Sequence, residues 1–245
     1  MRILLFLCVC ISMSCWGQKT TIYTIGDSTM ADKIKPNENP ETGWCQVLPS
    51  FFDLNTIIID NRAVNGRSTK SFIKEKRWDS VYNSLKPGDY VFIQFGHNDA
   101  KVADSTRYTN PHTTYRHNLI RFVTEARAKG AIPILFSSIA RRNFNEQGVL
   151  IGTHGEYPLE VRLVAQEYQV PFIDLEYFSE QLEQSYGVEK SKELHLFFKA
   201  GEHPYYPEGK SDDTHLSRKG ATEIATIAVR ELKKLNLRLN AFYKK

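Results

Sequence analysis

Cysteine is scarce in this chain: it accounts for 4 of 245 residues, and Cys8, Cys10 and Cys15 all lie in the N-terminal stretch. If that stretch is removed, only Cys45 remains, and a single cysteine cannot form an internal disulfide bond. The folded domain must therefore rely on packing, and the chain is long enough to bury a substantial core. Because Cys45 has no distinctive partner nearby, we expect a small buried residue rather than a nucleophile.

Long hydrophobic runs are also missing. A helix that spans a bilayer needs about 20 apolar residues, and no run in this sequence is that long. Residues 3–13 form a shorter apolar run that follows Arg2 and precedes small residues. This arrangement is typical of a secretory signal peptide. We expect residues 1–17 to be the signal peptide and residues 18–245 to form the mature domain, secreted or periplasmic and without a membrane span. A lipid anchor at Cys15 is less favoured, because the residues before it fit such a site poorly.

Neither sign of charge dominates, with 32 Lys and Arg against 28 Asp and Glu and a net charge of +4. The basic residues are scattered, whereas nucleic-acid binding needs a denser basic stripe, so we expect no nucleic-acid partner. An acidic polymer as substrate is compatible with this charge but is not indicated by it. Internal repeats and long linkers are absent from the sequence, and the length predicts one or at most two domains. We favour a monomer.

The apolar runs that are present predict buried strands separated by helices. The strands are predicted at 21–25, 56–60, 90–95, 132–136 and 171–174, and helical spacing predicts helices at 113–129, 156–168 and 217–235. The strand runs lack alternation of polar and apolar residues, as expected when both faces of a parallel sheet are covered. The order predicts an α/β fold with helices on both sides of a parallel sheet, whose sites lie at the carboxyl ends of the strands.

The first predicted strand is followed by Gly-Asp-Ser-Thr at 26–29. A serine hydroxyl becomes a nucleophile only on a sharp, accessible turn with a base to take its proton. Gly26 would permit such a turn before Ser28. Alone, this segment is weak evidence for a nucleophile, because a serine at a strand-to-helix turn is more often a helix cap. The G-x-S-x-G elbow of α/β-hydrolases is absent, since Met30 stands where its second glycine would be.

Two further strand ends carry candidate oxyanion donors. Asn65 and Gly66 form a turn signal that indicates either a loop with positive φ or a Gly66 amide directed into a site. On these two residues alone, a loop with positive φ is the favoured interpretation. After the third strand comes Gly-His-Asn-Asp at 96–99, where the Asn98 amide could donate to an oxyanion or simply form an Asx-turn.

A polar loop before the last predicted helix contains Asp212, Asp213 and His215. A carboxylate in the same loop can hold one imidazole nitrogen while the other nitrogen faces the serine. Asp213 is the competing partner, and the three-residue offset favours Asp212; either aspartate could instead cap the helix. Three other histidines are expected in ordinary loop or helix-surface positions: His112, His117 and His154.

In combination and in this order, the four blocks G-D-S, Asn-Gly, G-x-N-D and D-x-x-H resemble the SGNH, or GDSL-type, hydrolase superfamily over residues 21–235. Within it, the sequence resembles the rhamnogalacturonan acetylesterases. The finer match rests on residues 26–29, Gly43 and Trp44 with Gln46 and Leu48, residues 95–99, and residues 212–221. Cys45 departs from that pattern, which has a small residue such as glycine there, but the catalytic blocks are unaffected.

The resemblance implies a three-layer α/β/α fold with a flavodoxin-like five-stranded sheet. It implies a Ser28, Asp212 and His215 triad, and an oxyanion hole formed by the amides of Ser28 and Gly66 and the side chain of Asn98. The implied function is removal of acetyl groups from rhamnogalacturonan, with no cofactor and no metal.

Other interpretations stay open on the residues alone. His203, Asp212 and His215 are permitted metal ligands, although such a site would use the histidine that the serine needs. Related esterases could act on acetylated xylan, other acetylated sugars or lipid esters; the polar loops favour a sugar. A non-catalytic carbohydrate-binding protein on the same scaffold predicts loss of a triad or oxyanion residue, and none is missing.

Overall fold

A computed structural model describes residues 19–244. The predicted signal peptide, residues 1–17, and the alternative lipid-anchor position Cys15 lie outside the described residues. Among the residues that are described, no helix is both long and apolar enough to cross a membrane.

The centre of the molecule is a parallel sheet whose strands lie close to the predicted positions. The strands are β1 (Thr20–Gly26), β2 (Ile57–Asn61), β3 (Tyr90–Gln94), β4 (Ile132–Phe136) and β5 (Phe172–Ile173). All four neighbouring pairs are parallel, and the order β2-β1-β3-β4-β5 is the flavodoxin-like order. The predicted fold class is confirmed.

Helices cover both faces of this sheet. They are α1 (Trp44–Val47), α2 (Thr69–Lys74), α3 (Arg77–Ser84), α4 (Arg116–Ala128), α5 (Tyr157–Glu167), α6 (Leu175–Lys190) and α7 (Arg218–Lys234). One core cluster packs α1, α6 and α7 against one face, and a second packs α2 to α5 against the other. In β3, Phe92 belongs to the first cluster and its neighbours Val91 and Ile93 to the second. This explains why the strand sequences show no polar alternation.

The predicted helices correspond to α4, α5 and α7, while α1, α2, α3 and α6 were not predicted. Helix α4 follows a π-helical turn at Pro111–Tyr115, and α7 begins at Ser217, whose hydroxyl accepts a hydrogen bond from the Gly220 amide at 3.1 Å. Neither Asp212 nor Asp213 is the cap. In α5, Val161 and Val164 are buried, whereas Leu159 is exposed.

The segment that contains Asp212 and His215 is a strand and not the predicted loop. Strand β7 (Lys210–Leu216) pairs antiparallel with β6 (His195–Phe198) in a separate two-stranded sheet. Strand β7 lies at the surface, and most of its side chains are partly or fully exposed. Its sequence is therefore polar and does not have the apolar run that predicts a buried strand. Strand β7 ends one residue before α7, so Asp212 and His215 lie close to the start of that helix.

Cys45 is buried in α1, as predicted. Burial raises the pKa of its thiol well above the usual value, so little of the reactive thiolate forms.

Candidate active site

The candidate nucleophile lies on a tight turn directly after β1. A Cβ atom on Gly26 would lie 2.3 Å from the Met30 sulfur and 2.6 Å from the Gln94 carbonyl oxygen, so only glycine fits between these groups. The buried Asp27 carboxylate then accepts hydrogen bonds from the Thr29 amide at 3.0 Å and the Thr29 hydroxyl at 2.9 Å. These contacts fix the turn and leave the Ser28 side chain at the edge of the sheet.

Helix α1 supports the same turn through residues that carried the finer sequence resemblance. The Trp44 amide donates to the Thr29 carbonyl oxygen at 2.8 Å, and the Trp44 indole donates to Gln94 at 2.9 Å. The Gln94 amide donates in turn to the Thr29 hydroxyl at 2.7 Å. A Cβ atom on Gly43 would lie 2.2 Å from the Ala31 carbonyl oxygen, which excludes any larger residue. The segment therefore holds the serine turn from behind.

Ser28, His215 and Asp212 form one hydrogen-bonded chain. His215 Nε2 lies 3.0 Å from Ser28 Oγ, and His215 Nδ1 lies 2.9 Å from Asp212 Oδ2. The amides of Thr214 and His215 both donate to Asp212 Oδ1 at 2.9 Å. Burial alone would raise the pKa of Asp212, but the hydrogen bonds from His215 and the two amides outweigh it and lower that pKa. The carboxylate is thus ionised and suited to orient a positively charged imidazole.

Asp213, the competing partner for the imidazole, points elsewhere. Its carboxylate forms an ion pair with Arg142 at 2.7 Å. The ladder is irregular here: Asp212 pairs with Leu196 and Leu216 with His195, so residues 213–215 bulge out and Asp212 can reach His215 three positions on.

The structure places Asn98, but not Gly66, in the cavity that contains Ser28. The Asn98 amide donates to the Arg67 carbonyl oxygen at 3.2 Å and accepts from Arg107 Nη1 at 3.3 Å. Gly66 has φ of +76°, the left-handed conformation that its turn signal predicted. A cavity of about 270 Å³ is lined by Ser28, Asn98 and His215, whereas Gly66 lines a different cavity of about 580 Å³.

A buried ion pair beneath the serine was not predicted from the sequence. The side chain of Lys33 is 1% exposed, and its ammonium group lies 2.7 Å from Glu41 Oε1. It also donates to the Ser28 carbonyl oxygen and, at 2.8 Å, to the Asn65 side chain. Burial lowers the pKa of Lys33, although the Glu41 charge opposes this. Since Glu41 Oε1 is 4.0 Å from His215 Nε2, the pair connects the serine turn, the Asn65 turn and the histidine.

His154 lies in a loop, but the prediction that it is an ordinary loop or helix-surface residue is wrong, because its side chain is buried. His154 is 2% exposed, and its Nε2 lies 2.9 Å from Nδ1 of the buried His97. Burial lowers the pKa of both rings; Glu176, 3.3 Å from His154 Nδ1, partly opposes the effect at His154. His97 lines the cavity beside the serine, and His154 contacts His97 from outside that lining. The predicted exposure of His112 and His117 is confirmed.

The alternative grouping of His203 with Asp212 and His215 does not form. Between residues 19 and 244, no group of three or more His, Cys, Asp or Glu side chains is arranged to hold a metal ion. His203 Nδ1 instead accepts a hydrogen bond from the Tyr205 amide at 3.1 Å, and its ring packs against Phe198.

Comparison with known proteins places this geometry in a family. Residues 24–222 match the sequence model of the GDSL-like Lipase/Acylhydrolase family. Rhamnogalacturonan acetylesterase RhgT of Bacillus subtilis (strain 168) is 41% identical over 218 residues, which cover 89% of this chain and 91% of the relative. The probable rhamnogalacturonan acetylesterase YesY of the same organism is 36% identical over 223 residues, which cover 89% of this chain and 94% of YesY.

A solved structure shows the same fold. The acetylxylan esterase Axe2 from Geobacillus stearothermophilus superposes with a TM-score of 0.63 at 20% identity, over 88% of this chain and 95% of Axe2. The family match spans most of the chain, from within β1 into α7, and includes Ser28, Asn98, Asp212 and His215. The chain therefore belongs to the GDSL-like lipase/acylhydrolase family.

Proposed function

We propose that this protein is a serine esterase that removes acetyl groups from a plant cell-wall polysaccharide, with rhamnogalacturonan as the favoured substrate. The observation that carries the proposal is the hydrogen-bonded chain from Ser28 Oγ to His215 at 3.0 Å and from His215 to Asp212 at 2.9 Å. The choice of polysaccharide is supported by RhgT, a rhamnogalacturonan acetylesterase that is 41% identical to this chain.

In the proposed mechanism, His215 Nε2 takes the proton of Ser28 as the serine oxygen attacks the acetyl carbonyl. Asp212 holds the imidazole through Nδ1 and stabilises the imidazolium that forms. The amides of Ser28 and Gly66 and the side chain of Asn98 bind the oxyanion. His215 then protonates the departing sugar oxygen, and an acetyl-enzyme remains. A water molecule, deprotonated by the same histidine, hydrolyses the acetyl-enzyme and releases acetate.

Lipid esters are less suitable substrates for this cleft. The cavity at Ser28 is lined by His97, Lys101 and Arg141 in addition to the proposed catalytic residues. A lipid chain would need an apolar wall in that place. Acetylated xylan and other acetylated sugars remain alternatives, and Axe2, which shares the fold, is an acetylxylan esterase.

A carbohydrate-binding protein without catalytic activity is the alternative from another class. Such a protein has no need for a serine within 3.0 Å of a histidine that a carboxylate holds at 2.9 Å. The proposed location, secreted or periplasmic, rests on the sequence of residues 1–17 alone.

The test measures acetate release from acetylated rhamnogalacturonan and from acetylated xylan, side by side. Wild type is compared with Ser28→Ala, and Ser80→Ala, at an exposed position of α3, is the matched control. Release from rhamnogalacturonan that only Ser28→Ala abolishes would support both the chemistry and the substrate. Release from xylan alone would reject the favoured polysaccharide, and release that survives Ser28→Ala would reject the proposed nucleophile.

A further inference from the structure

The cavity that contains the proposed triad also contains two cationic side chains with no carboxylate partner. Lys101 and Arg141 both line it. Within residues 19–244, neither forms an ion pair, whereas the nearby Arg107 is paired with Asp104 and Arg142 with Asp213. Asp212 also lines the cavity, but its carboxylate contacts His215 and Lys210, so no carboxylate of the described residues lies within ion-pair distance of Lys101 or Arg141.

Arg141 is held rigidly with part of its guanidinium group unused. Its Nη1 donates to the Thr153 hydroxyl at 2.9 Å and to the Thr153 carbonyl oxygen at 3.4 Å, and its Nη2 donates to the His97 carbonyl oxygen at 3.2 Å. A guanidinium group has five N–H donors, so at least two have no partner among the described residues. A fixed, partly buried guanidinium is suited to bind a planar carboxylate through two parallel hydrogen bonds.

Lys101 lies at the exposed rim of the same cavity, and its ammonium group has no hydrogen-bond partner in the described part of the chain. Partial burial lowers its pKa, and the positive charges of Arg107 and Arg141 lower it further. Burial likewise lowers the pKa of Arg141. Asp27 opposes both shifts, but its carboxylate is buried below the serine turn and bonded to Thr29. An anion that entered the cavity would relieve the repulsion.

We propose that Lys101 and Arg141 form a subsite that binds a carboxylate of the substrate, supplied by a uronate unit beside the acetylated sugar. This inference rests on the proposed function, because the subsite lies in the cavity of Ser28. It makes Lys101 and Arg141 specificity-determining residues. A neutral chain such as xylan leaves both charges unpaired, and an acidic chain neutralises them next to the ester to be cleaved.

Binding is the first test, because it does not depend on catalysis. Isothermal titration calorimetry on the Ser28→Ala protein compares oligogalacturonate, the same oligomer with methyl-esterified carboxylates, and a xylo-oligosaccharide. Oligogalacturonate is expected to bind most tightly. Lys101→Gln should weaken that binding about fivefold, as for an exposed ion pair, and Arg141→Gln about tenfold or more, as for a charge-assisted pair.

Two further variants keep the test independent of folding. If Arg141→Gln fails to fold, Arg141→Lys serves in its place, because it retains the positive charge. Arg141→Lys is expected to weaken binding, because a lysine cannot form the bidentate hydrogen bonds of a guanidinium group. Lys86→Gln makes the same change of charge as Lys101→Gln, on an exposed lysine before β3, at the opposite end of that strand from Asn98. Lys86→Gln should bind oligogalacturonate like the parent protein.

Turnover supplies the second test. With Ser28 intact, Lys101→Gln should lose more kcat/KM on acetylated rhamnogalacturonan than on 4-nitrophenyl acetate, mainly through KM. Equal binding of the charged and methyl-esterified oligomers, or unchanged binding in Lys101→Gln, would overturn the subsite. Displacement of oligogalacturonate by equimolar acetate would assign the two cations to the product instead. Failure of the proposed function is distinguishable from failure of the subsite. It would appear as no acetate release, or as acetate release that does not depend on Ser28, whatever the calorimetry shows.

Discussion

The ammonium group of Lys33 lies 2.7 Å from the carboxylate of Glu41, and the lysine side chain is 1% exposed. Two charges have thus been removed from water directly beneath the candidate nucleophile. Such a pair adds little net stability over an apolar pair of similar volume, but loss of one member leaves the other charge buried and uncompensated.

Lys33→Met is therefore expected to lower the free energy of unfolding by about 3 kcal/mol or more, because Glu41 loses its counter-charge. Urea denaturation would measure this. Lys35→Met is the matched control, since Lys35 and Glu38 form an ion pair with both side chains more than half exposed, for which about 0–1 kcal/mol is expected. Adding Glu41→Gln to Lys33→Met should recover part of the loss. Equal effects of the two lysine substitutions would contradict the prediction.

Asp212→Asn and Asp213→Asn test which aspartate orients His215. Asp212 contacts His215 Nδ1 at 2.9 Å, and its loss removes both the orientation and the stabilised imidazolium. We expect kcat to fall about ten-thousand-fold in Asp212→Asn. Asp213 contacts Arg142 instead, so Asp213→Asn should keep kcat within about threefold, as for a surface ion pair. Steady-state kinetics on 4-nitrophenyl acetate would decide, and comparable losses would refute the assignment.

Asn98→Ala tests the side-chain donor of the proposed oxyanion hole. Loss of one such donor typically lowers kcat about 100- to 1000-fold and leaves KM nearly unchanged, because the interaction forms only in the transition state. Asn83→Ala, at an exposed position of α3, is the control and should leave both constants unchanged. A rise in KM without a fall in kcat would mean that Asn98 binds substrate and not the oxyanion.

His154→Gln tests the buried histidine pair through pH dependence. Burial lowers the pKa of His154, so the folded protein keeps the ring neutral at a pH where the unfolded chain is protonated. That stabilisation is complete above the unfolded pKa of about 6.5 and is lost as the pH falls below it, by at most about 1.4 kcal/mol per pH unit. The stability advantage of wild type over His154→Gln should therefore shrink between pH 8 and pH 5.

Urea midpoints at several pH values would measure this difference, with His117→Gln on the exposed face of α4 as the control. The gap between wild type and His117→Gln should change less with pH than the gap between wild type and His154→Gln, because His117 is exposed and His154 is buried. An advantage over His154→Gln that is constant or grows on acidification would show that His154 is charged in the folded protein.

The sheet and the grouping of site residues could be predicted from the sequence because both depend on short, local signals. Apolar runs without alternation identify buried parallel strands, and the carboxyl ends of such strands meet at one edge. Ser28 and Asn98 follow adjacent strands, β1 and β3, and their proximity follows from the topology. Asp212 and His215 were added by their three-residue spacing and by the family resemblance.

The remaining features depend on contacts between distant segments, which no local pattern reports. Lysine is almost never fully buried, so nothing in the sequence distinguishes Lys33 from an exposed lysine. His154 contacts a histidine 57 residues away. The sequence of β7 lacks alternation of polar and apolar residues, and no local pattern in it indicates the pairing with β6.

The separation of 187 positions between Ser28 and His215 has a consequence for when activity can arise. During synthesis the serine is made long before the histidine, and β7 must pair with β6 before the histidine reaches its position. A chain made only as far as β5 therefore holds Ser28 without the base that the proposed mechanism requires, and we expect it to hydrolyse no esters. Recovery of esterase activity during refolding would therefore report the docking of β7 onto β6, and not the formation of the central sheet alone.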